Sequence, residues 1–147
     1  MTHIYTDGAC SGNPGRGGWG YVIVNDLNDI IYTDGGYEEN TTNQRMELTA
    51  AIEALNKAME LGIDLLKCQL YSDSAYLVNC KNDKWYANWE KNGWVNAKRQ
   101  PIANKDLWEK LTFFLKSDIM FIKVKGHADN LWNNYVDAIA TTQISKK

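Results

Sequence analysis

Cysteine is scarce in this chain: the three present (Cys10, Cys68, Cys80) are odd in number and form no C-x-x-C pair. That argues against a disulfide framework, a cysteine zinc site or a redox dithiol, and leaves buried or half-buried free thiols as the expectation. Long apolar runs are missing as well. Nothing approaches the roughly 18 residues of a membrane-crossing segment. The opening Met1-Thr2-His3-Ile4-Tyr5-Thr6 also lacks the basic-then-apolar layout of a signal peptide. A cytoplasmic protein with no membrane partner is therefore expected. Positive charge is not in excess: the net charge is −2, which excludes holding a polyanion by bulk charge alone. No internal repeat, low-complexity tract or linker breaks the 147 residues, so one domain over 1–147 is expected.

What is present is an ordinary globular composition, 44% hydrophobic and 23% charged. The charge is unevenly spread. Residues 81–99 hold five basic groups (Lys81, Lys84, Lys91, Lys98, Arg99) against Asp83 and Glu90, a net +3 that leaves −5 for the remainder. A basic patch on an acidic body suits carboxylate chemistry performed on a polyanion.

The first third has the pattern of strands: His3–Thr6, then Trp19–Val24 and Ile30–Thr33, separated by turn-rich Cys10–Gly18 and by Asn25–Asp29. These predict an antiparallel meander. From Asn43 to Leu61 the apolar spacing becomes helical and stops at Gly62. Leu65–Tyr71 predicts a fourth strand, followed by Asp73 and Ser74 at helix-cap positions. A Trp-rich basic segment runs to Arg99. Lys105–Lys116 predicts a helix, Ile119–Val124 a fifth strand and Asn133–Ile144 a closing helix. Strands first, then alternating helix and strand, predict an α/β fold with a five-stranded mixed sheet flanked by helices.

One glycine pattern misleads. Gly15-Arg16-Gly17-Gly18-Trp19-Gly20 matches the dinucleotide-binding G-x-G-x-x-G, but that mechanism needs a helix N-terminus directly after the glycines. Tyr21-Val22-Ile23-Val24 follows instead, so the glycines are assigned to a tight crossing between antiparallel strands. The acidic candidates each carry a plain alternative. Asp7 before Gly8 could only start a turn, Glu47 could only favour a helix dipole, and Asp73 could only be an N-cap. Asp137, within Tyr135-Val136-Asp137-Ala138-Ile139-Ala140, is expected in an apolar setting where an unpaired carboxylate is costly and a cation would relieve it.

The run Tyr5-Thr6-Asp7-Gly8-Ala9-Cys10-Ser11-Gly12-Asn13-Pro14-Gly15-Arg16-Gly17-Gly18-Trp19-Gly20 closely resembles the opening signature of the ribonuclease H family. Three further blocks match in order: Thr42-Asn43-Gln44-Arg45-Met46-Glu47-Leu48, Ser72-Asp73-Ser74-Ala75-Tyr76, and Lys125-Gly126-His127 with Asp137 ten residues on. The Trp85, Trp89, Gly93-Trp94 and Asp106-Leu107-Trp108 segments are similar too. The resemblance runs from about residue 2 to residue 142 and fits a free-standing, bacterial-like type 1 member.

This resemblance implies the ribonuclease H-like fold, three antiparallel strands and then parallel ones. It implies an endonuclease that hydrolyses the RNA strand of RNA–DNA hybrids, leaving 5′-phosphate and 3′-hydroxyl ends. The family's metal-binding carboxylates fall on Asp7, Glu47, Asp73 and Asp137, which would hold two Mg²⁺ ions, with Mn²⁺ as an alternative. His127 falls where the family places a proton shuttle or product-release aid. Cys10, Asn13, Asn43 and Gln44 fall on minor-groove positions near RNA 2′-hydroxyls, and Thr42 and Asn104 on a pocket that grips a DNA phosphate. The basic Trp segment, about 81–100, resembles the family's protrusion along the DNA strand. There Trp85 would meet the sugar-phosphate, and Lys84, Lys91, Lys98 and Arg99 would add phosphate attraction. The plain reading of that segment is a solvated helix with a Trp packing seam.

The partner implied is the hybrid itself, acted on by a monomer without an obligate protein partner. Two other readings share some of these features. A transposase, integrase or junction resolvase has the same fold class and acidic site but cuts DNA and has no use for groups facing a 2′-hydroxyl. A hybrid-binding module would bind without turnover, and the four intact carboxylates weigh against it.

Overall fold

Three long strands open the chain: β1 (Thr2–Ser11), β2 (Gly15–Val24) and β3 (Ile30–Thr41). The computed structural model describes residues 1–125 and 130–145. β1 and β2 pair antiparallel from His3 opposite Val24 to Ser11 opposite Arg16. Their connection turns at Gly12, whose φ of 81° lies where a side chain is strained. β2 and β3 pair antiparallel as well, around a turn in which Asn25 Oδ1 accepts from the Leu27 and Asp29 amides. β3 is much longer than the expected Ile30–Thr33. Asp34-Gly35-Gly36 looks like a turn in sequence but stays extended, because Tyr21, Gly20 and Trp19 of β2 lie directly opposite.

Two further strands extend the sheet on the other side of β1. β4 (Cys68–Ser72) runs parallel to β1, with Tyr5 opposite Tyr71, and β5 (Met120–Lys123) runs parallel to β4. The order is β3-β2-β1-β4-β5, the mixed sheet expected from the sequence. Leu65–Lys67, expected in the fourth strand, instead forms a single 3₁₀ turn capped by Asp64, whose Oδ1 accepts from the Leu66 amide.

The helices are α1 (Asn43–Glu60), α2 (Ala75–Asn82), α3 (Trp85–Lys91), α4 (Lys105–Leu115) and α5 (Leu131–Ser145). Side chains alternate across β2, so Tyr21 and Ile23 face one layer while Val22 and Val24 face the other. The first layer is the main core, where Ile4, Leu48, Leu55, Leu70, Leu77, Trp108 and Leu111 are wholly enclosed. Burying each such side chain contributes roughly 1.5–3 kcal/mol. The second layer is α5, with Val136 on Val22 and Val24. All three cysteines are free; Cys68 and Cys80 are buried and Cys10 is half-buried, as expected.

The Trp-rich segment is a packed element with a basic outer face. Trp89 lies between Trp85, Trp94 and Trp108 at ring-centre distances of 6.2, 5.9 and 5.3 Å. Beyond α3 the chain folds back through a Val95–Pro101 bridge, with Asn96 Oδ1 accepting from the Lys98 and Gln100 amides. Lys84, Lys91, Lys98 and Arg99 are all exposed on it.

Candidate active site

The C-terminal half of β1 carries Asp7 to the point where α1, the end of β4 and α5 meet. Gly8 makes this meeting possible: a Cβ there would lie 2.4 Å from the Glu47 nitrogen and 2.4 Å from the Met46 carbonyl carbon. With only hydrogen in the way, α1 rests on the strand, and the Gly8 amide donates to both the Asp7 and Glu47 carboxyls. Asp7 is 5% exposed and Glu47 4%. Glu47 is the fifth residue of α1, outside the first turn, so a favourable helix dipole does not account for it.

Asp73 sits between β4 and α2. It is not the helix cap: Ser74 is, its hydroxyl accepting from the Leu77 amide at 3.2 Å. The Asp73 carboxyl thus has no hydrogen-bond partner among the described residues, and oxygens of Asp7, Glu47 and Asp73 lie within 4.8 Å of one another. They line a cleft of about 360 Å³ together with Gly8, Ala9, Asn43, Ser74 and Asp137.

Asp137 corrects the sequence expectation. It is exposed, not enclosed in apolar surroundings, because α5 turns Asn133, Val136 and Ala140 inward and leaves position 137 outward at the cleft. The glycine assignment holds at Gly15, where a Cβ would lie 2.1 Å from the Ser11 carbonyl oxygen of β1, and is corrected at Gly18 and Gly20. A Cβ on Gly18 would lie 2.2 Å from the Ala140 carbonyl oxygen, and one on Gly20 2.5 Å from the Ile139 Cγ2. These glycines therefore admit α5 onto the sheet, which brings Asp137 opposite Asp7. A sequence pattern of glycine in a strand reveals the small residue but not which neighbour needs the space.

Gathering these carboxylates has an electrostatic cost. Burial pushes the Asp7 carboxyl up to about 7, with the Asp73 and Asp137 charges adding to the rise and Glu47 offsetting part of it. Burial, then the adjacent Asp7, raises Glu47 well above the usual carboxylate range. No Lys, Arg or His pairs with either among the described residues. An all-oxygen donor set with unneutralised charge fits hard divalent cations, which prefer such ligands.

The other candidate residues form two groups. On the rim nearest α1, Asn13 Oδ1 accepts from the Asn43 amide at 3.1 Å, and Asn13, Asn43 and Gln44 are exposed. Cys10 directs its thiol to the Gly15 and Thr41 carbonyls. Farther along, Thr42 is the N-cap of α1 and accepts from the Arg45 amide at 3.2 Å. Asn104, in the left-handed region before α4, contacts Arg45 and Tyr76. Trp85 opens α3, half-buried against Tyr76. His127 lies outside the described residues. Ser74, placed at a helix-cap position from the sequence, does cap α2, while Arg45 and Tyr76 carry no individual role in the sequence reading; Arg45 meets Asn104 and Asp106 about sixty positions away, a pairing with no local signal.

Comparison with known proteins agrees with this geometry. The family model described as RNase H matches residues 1–145. A ribonuclease H of Caldanaerobacter subterraneus subsp. tengcongensis is 50% identical over 147 residues, covering 99% of this chain and 92% of the relative. One of Moorella thermoacetica is 50% identical over 143 residues, covering 97% and 90%. Among solved structures, LC11-RNase H1 in complex with RNA/DNA hybrid superposes with a TM-score of 0.77 at 22% identity, covering 99% of this chain and 97% of that one. This last similarity is one of fold.

Proposed function

This chain belongs to the ribonuclease H family, and from that premise we infer that it is an endonuclease hydrolysing the RNA strand of RNA–DNA hybrids. The observation that carries the reading is the cleft where buried Asp7 and Glu47 meet Asp73 and Asp137. Those four carboxylates would hold the divalent cations, with Mg²⁺ the ion best suited to a few carboxylates and substrate phosphate. When bound, the ions supply positive charge that activates the attacking water and stabilises the leaving 3′-oxygen, giving 5′-phosphate and 3′-hydroxyl products. The chain itself fixes the carboxylates: the Gly8 amide orients Asp7 and Glu47, and the Ser74 cap keeps Asp73 available.

Substrate selection is assigned to the rim. Exposed Asn13, Asn43 and Gln44, joined through the Asn13–Asn43 bond, offer amide donors and acceptors to 2′-hydroxyls, which only the RNA strand carries. Cys10 holds that loop in place. Thr42 and Asn104 are assigned to a DNA phosphate, Trp85 to the DNA sugar-phosphate, and His127 to proton transfer or product release. We read the 147 residues as one catalytic domain, with a protrusion at about 81–100, acting as a cytoplasmic monomer. No described helix is long and apolar enough to cross a membrane.

The test is cleavage of an end-labelled hybrid, with duplex DNA and single-stranded RNA as controls, under Mg²⁺ and Mn²⁺ titration and with product ends mapped. Cleavage of the hybrid alone, abolished by chelator and by Asp7→Asn, is expected. Ordinary activity in chelator, or strand cleavage of pure DNA, would overturn the reading.

A further inference from the structure

Arg45 stands between the two residues assigned to the DNA phosphate. Its backbone amide donates to Thr42 Oγ1 at 3.2 Å, and its Nη1 donates to Asn104 Oδ1 at 3.3 Å. Asp106 clamps the guanidinium through both of its oxygens, at 2.9 and 2.7 Å. On the far side of Asn104, Nδ2 donates to the Tyr76 hydroxyl at 3.2 Å, and that hydroxyl also accepts from Trp108 Nε1 at 3.0 Å.

The direction of this chain of hydrogen bonds is decided at the Arg45 end. A guanidinium can only donate, whereas the Tyr76 hydroxyl can accept from Trp108 and still either donate or accept. The Asn104 oxygen must therefore face Arg45, since the flipped amide would set its NH₂ against another donor. The Asn104 NH₂ then faces Tyr76, which uses one of its two hydrogens and leaves the second unassigned. The Thr42 hydroxyl likewise accepts from the Arg45 amide and keeps its own proton for donation.

We propose that Arg45 is a positioning residue that fixes the polarity of the phosphate pocket, its guanidinium holding Asn104 so that the amide presents a donor to a DNA phosphate beside the Thr42 hydroxyl. It acts through Asn104 and needs no contact with the phosphate itself. Tyr76 is the second support, holding the other end of the Asn104 amide. Without Arg45, the Asn104 amide is free to turn its oxygen outward, and an oxygen repels the anion the pocket receives. The proposal rests on the assignment of Thr42 and Asn104 to a DNA phosphate.

The experiment uses Arg45→Met, Arg45→Lys, Tyr76→Phe and Asn104→Ala, each assayed on a hybrid and on a set in which single DNA phosphates are replaced by neutral methylphosphonates. Thermal unfolding monitors folding. Losing one hydrogen bond to a charged group corresponds to roughly tenfold in affinity. Arg45→Met is expected to raise KM by about that factor with kcat nearly unchanged. Tyr76→Phe should raise it less, and Arg45→Lys, still a pure donor, should largely restore it. The Arg45→Met penalty should vanish on the one methylphosphonate hybrid whose missing charge already weakens the wild type.

If Asn104→Ala raises KM and Arg45→Met does not, the positioning role is wrong while the pocket stands. A penalty equal on every methylphosphonate hybrid also overturns it. If neither Asn104→Ala nor any single methylphosphonate affects the wild-type KM, the pocket assignment itself fails. Should Arg45→Met not fold, Arg45→Lys and Tyr76→Phe decide: full loss in the first or none in the second overturns the proposal.

Discussion

Asp7 and Glu47 have almost no contact with solvent and stand beside further carboxylates, an arrangement that costs stability unless a cation joins it. Both have folded-state pKa values raised above their unfolded ones, Asp7 to about 7. The folded chain therefore holds protons more tightly than the unfolded chain. The pair's favourable contribution is complete below about pH 4, the unfolded range, and is lost as pH climbs through the folded values. In chelator, urea unfolding should show stability falling between pH 5 and pH 7.5, and saturating Mg²⁺ should flatten that fall. Asp7→Asn in chelator at pH 7.5 should gain about 1 kcal/mol, roughly 2–4 °C in Tm, while losing cleavage. A metal-free Asp7→Asn protein less stable than the wild type would refute this account. Thr6 gives a second residue-level prediction. Its hydroxyl is buried with no hydrogen-bond partner among the described residues, so Thr6→Val should be neutral or stabilise by up to about 1 kcal/mol in denaturant titrations. At this scale the sequence is informative about residue type: Asp7, Glu47 and Asp73 lie in family blocks and do converge. It is silent on exposure, which is why Asp137 was expected to be enclosed, and on pairs such as Arg45 with Asn104, which exist only after folding.

Elements are placed by glycine as much as by apolar periodicity. α1 lies against β1 at Gly8, and α5 lies against β2 at Gly18 and Gly20, so the helices carrying Glu47 and Asp137 are seated by missing side chains. Gly18→Ala sets a methyl against the Ala140 carbonyl, a backbone atom that cannot rotate away. It should cost about 1–3 kcal/mol, the range for overpacking, and should raise the Mg²⁺ concentration needed for half-maximal rate by displacing Asp137. Thermal unfolding and metal-dependent initial rates read the two effects. An unchanged metal requirement with lowered Tm would mean that α5 adjusts without moving its carboxylate. The periodic helices were legible to within about two residues at their ends, because α1 and α4 have one apolar face over their whole length. The second half of β3 was not: Gly35 and Gly36 signal a turn locally, and only pairing with β2 keeps them extended.

Across the molecule, charge is divided between an acidic cleft and a basic protrusion. Lys81, although part of the +3 segment, is committed to structure: its Nζ donates to the Leu115 and Ser117 carbonyls at the end of α4. Glu90 pairs with Lys116 of the body and ties α3 down at the same end. Of the segment's five basic groups, Lys84, Lys91, Lys98 and Arg99 remain exposed to face a polyanion, and Trp89 packed among three other tryptophans holds their platform to the core. Because the rest of the chain is acidic, binding should depend on these few contacts, and log KM should rise with log salt. Each phosphate contact removed lowers that slope by about 0.9. Lys98→Ala combined with Arg99→Ala should therefore reduce the slope by nearly two while leaving kcat at saturation close to wild type. Lys81→Met should leave the slope alone and lower Tm by removing a cap on α4. KM measured from 50 to 200 mM KCl separates these outcomes. An unchanged slope in the double variant would place the phosphate contacts elsewhere on the molecule, and a changed slope in Lys81→Met would show that its bonds to α4 open when the hybrid binds.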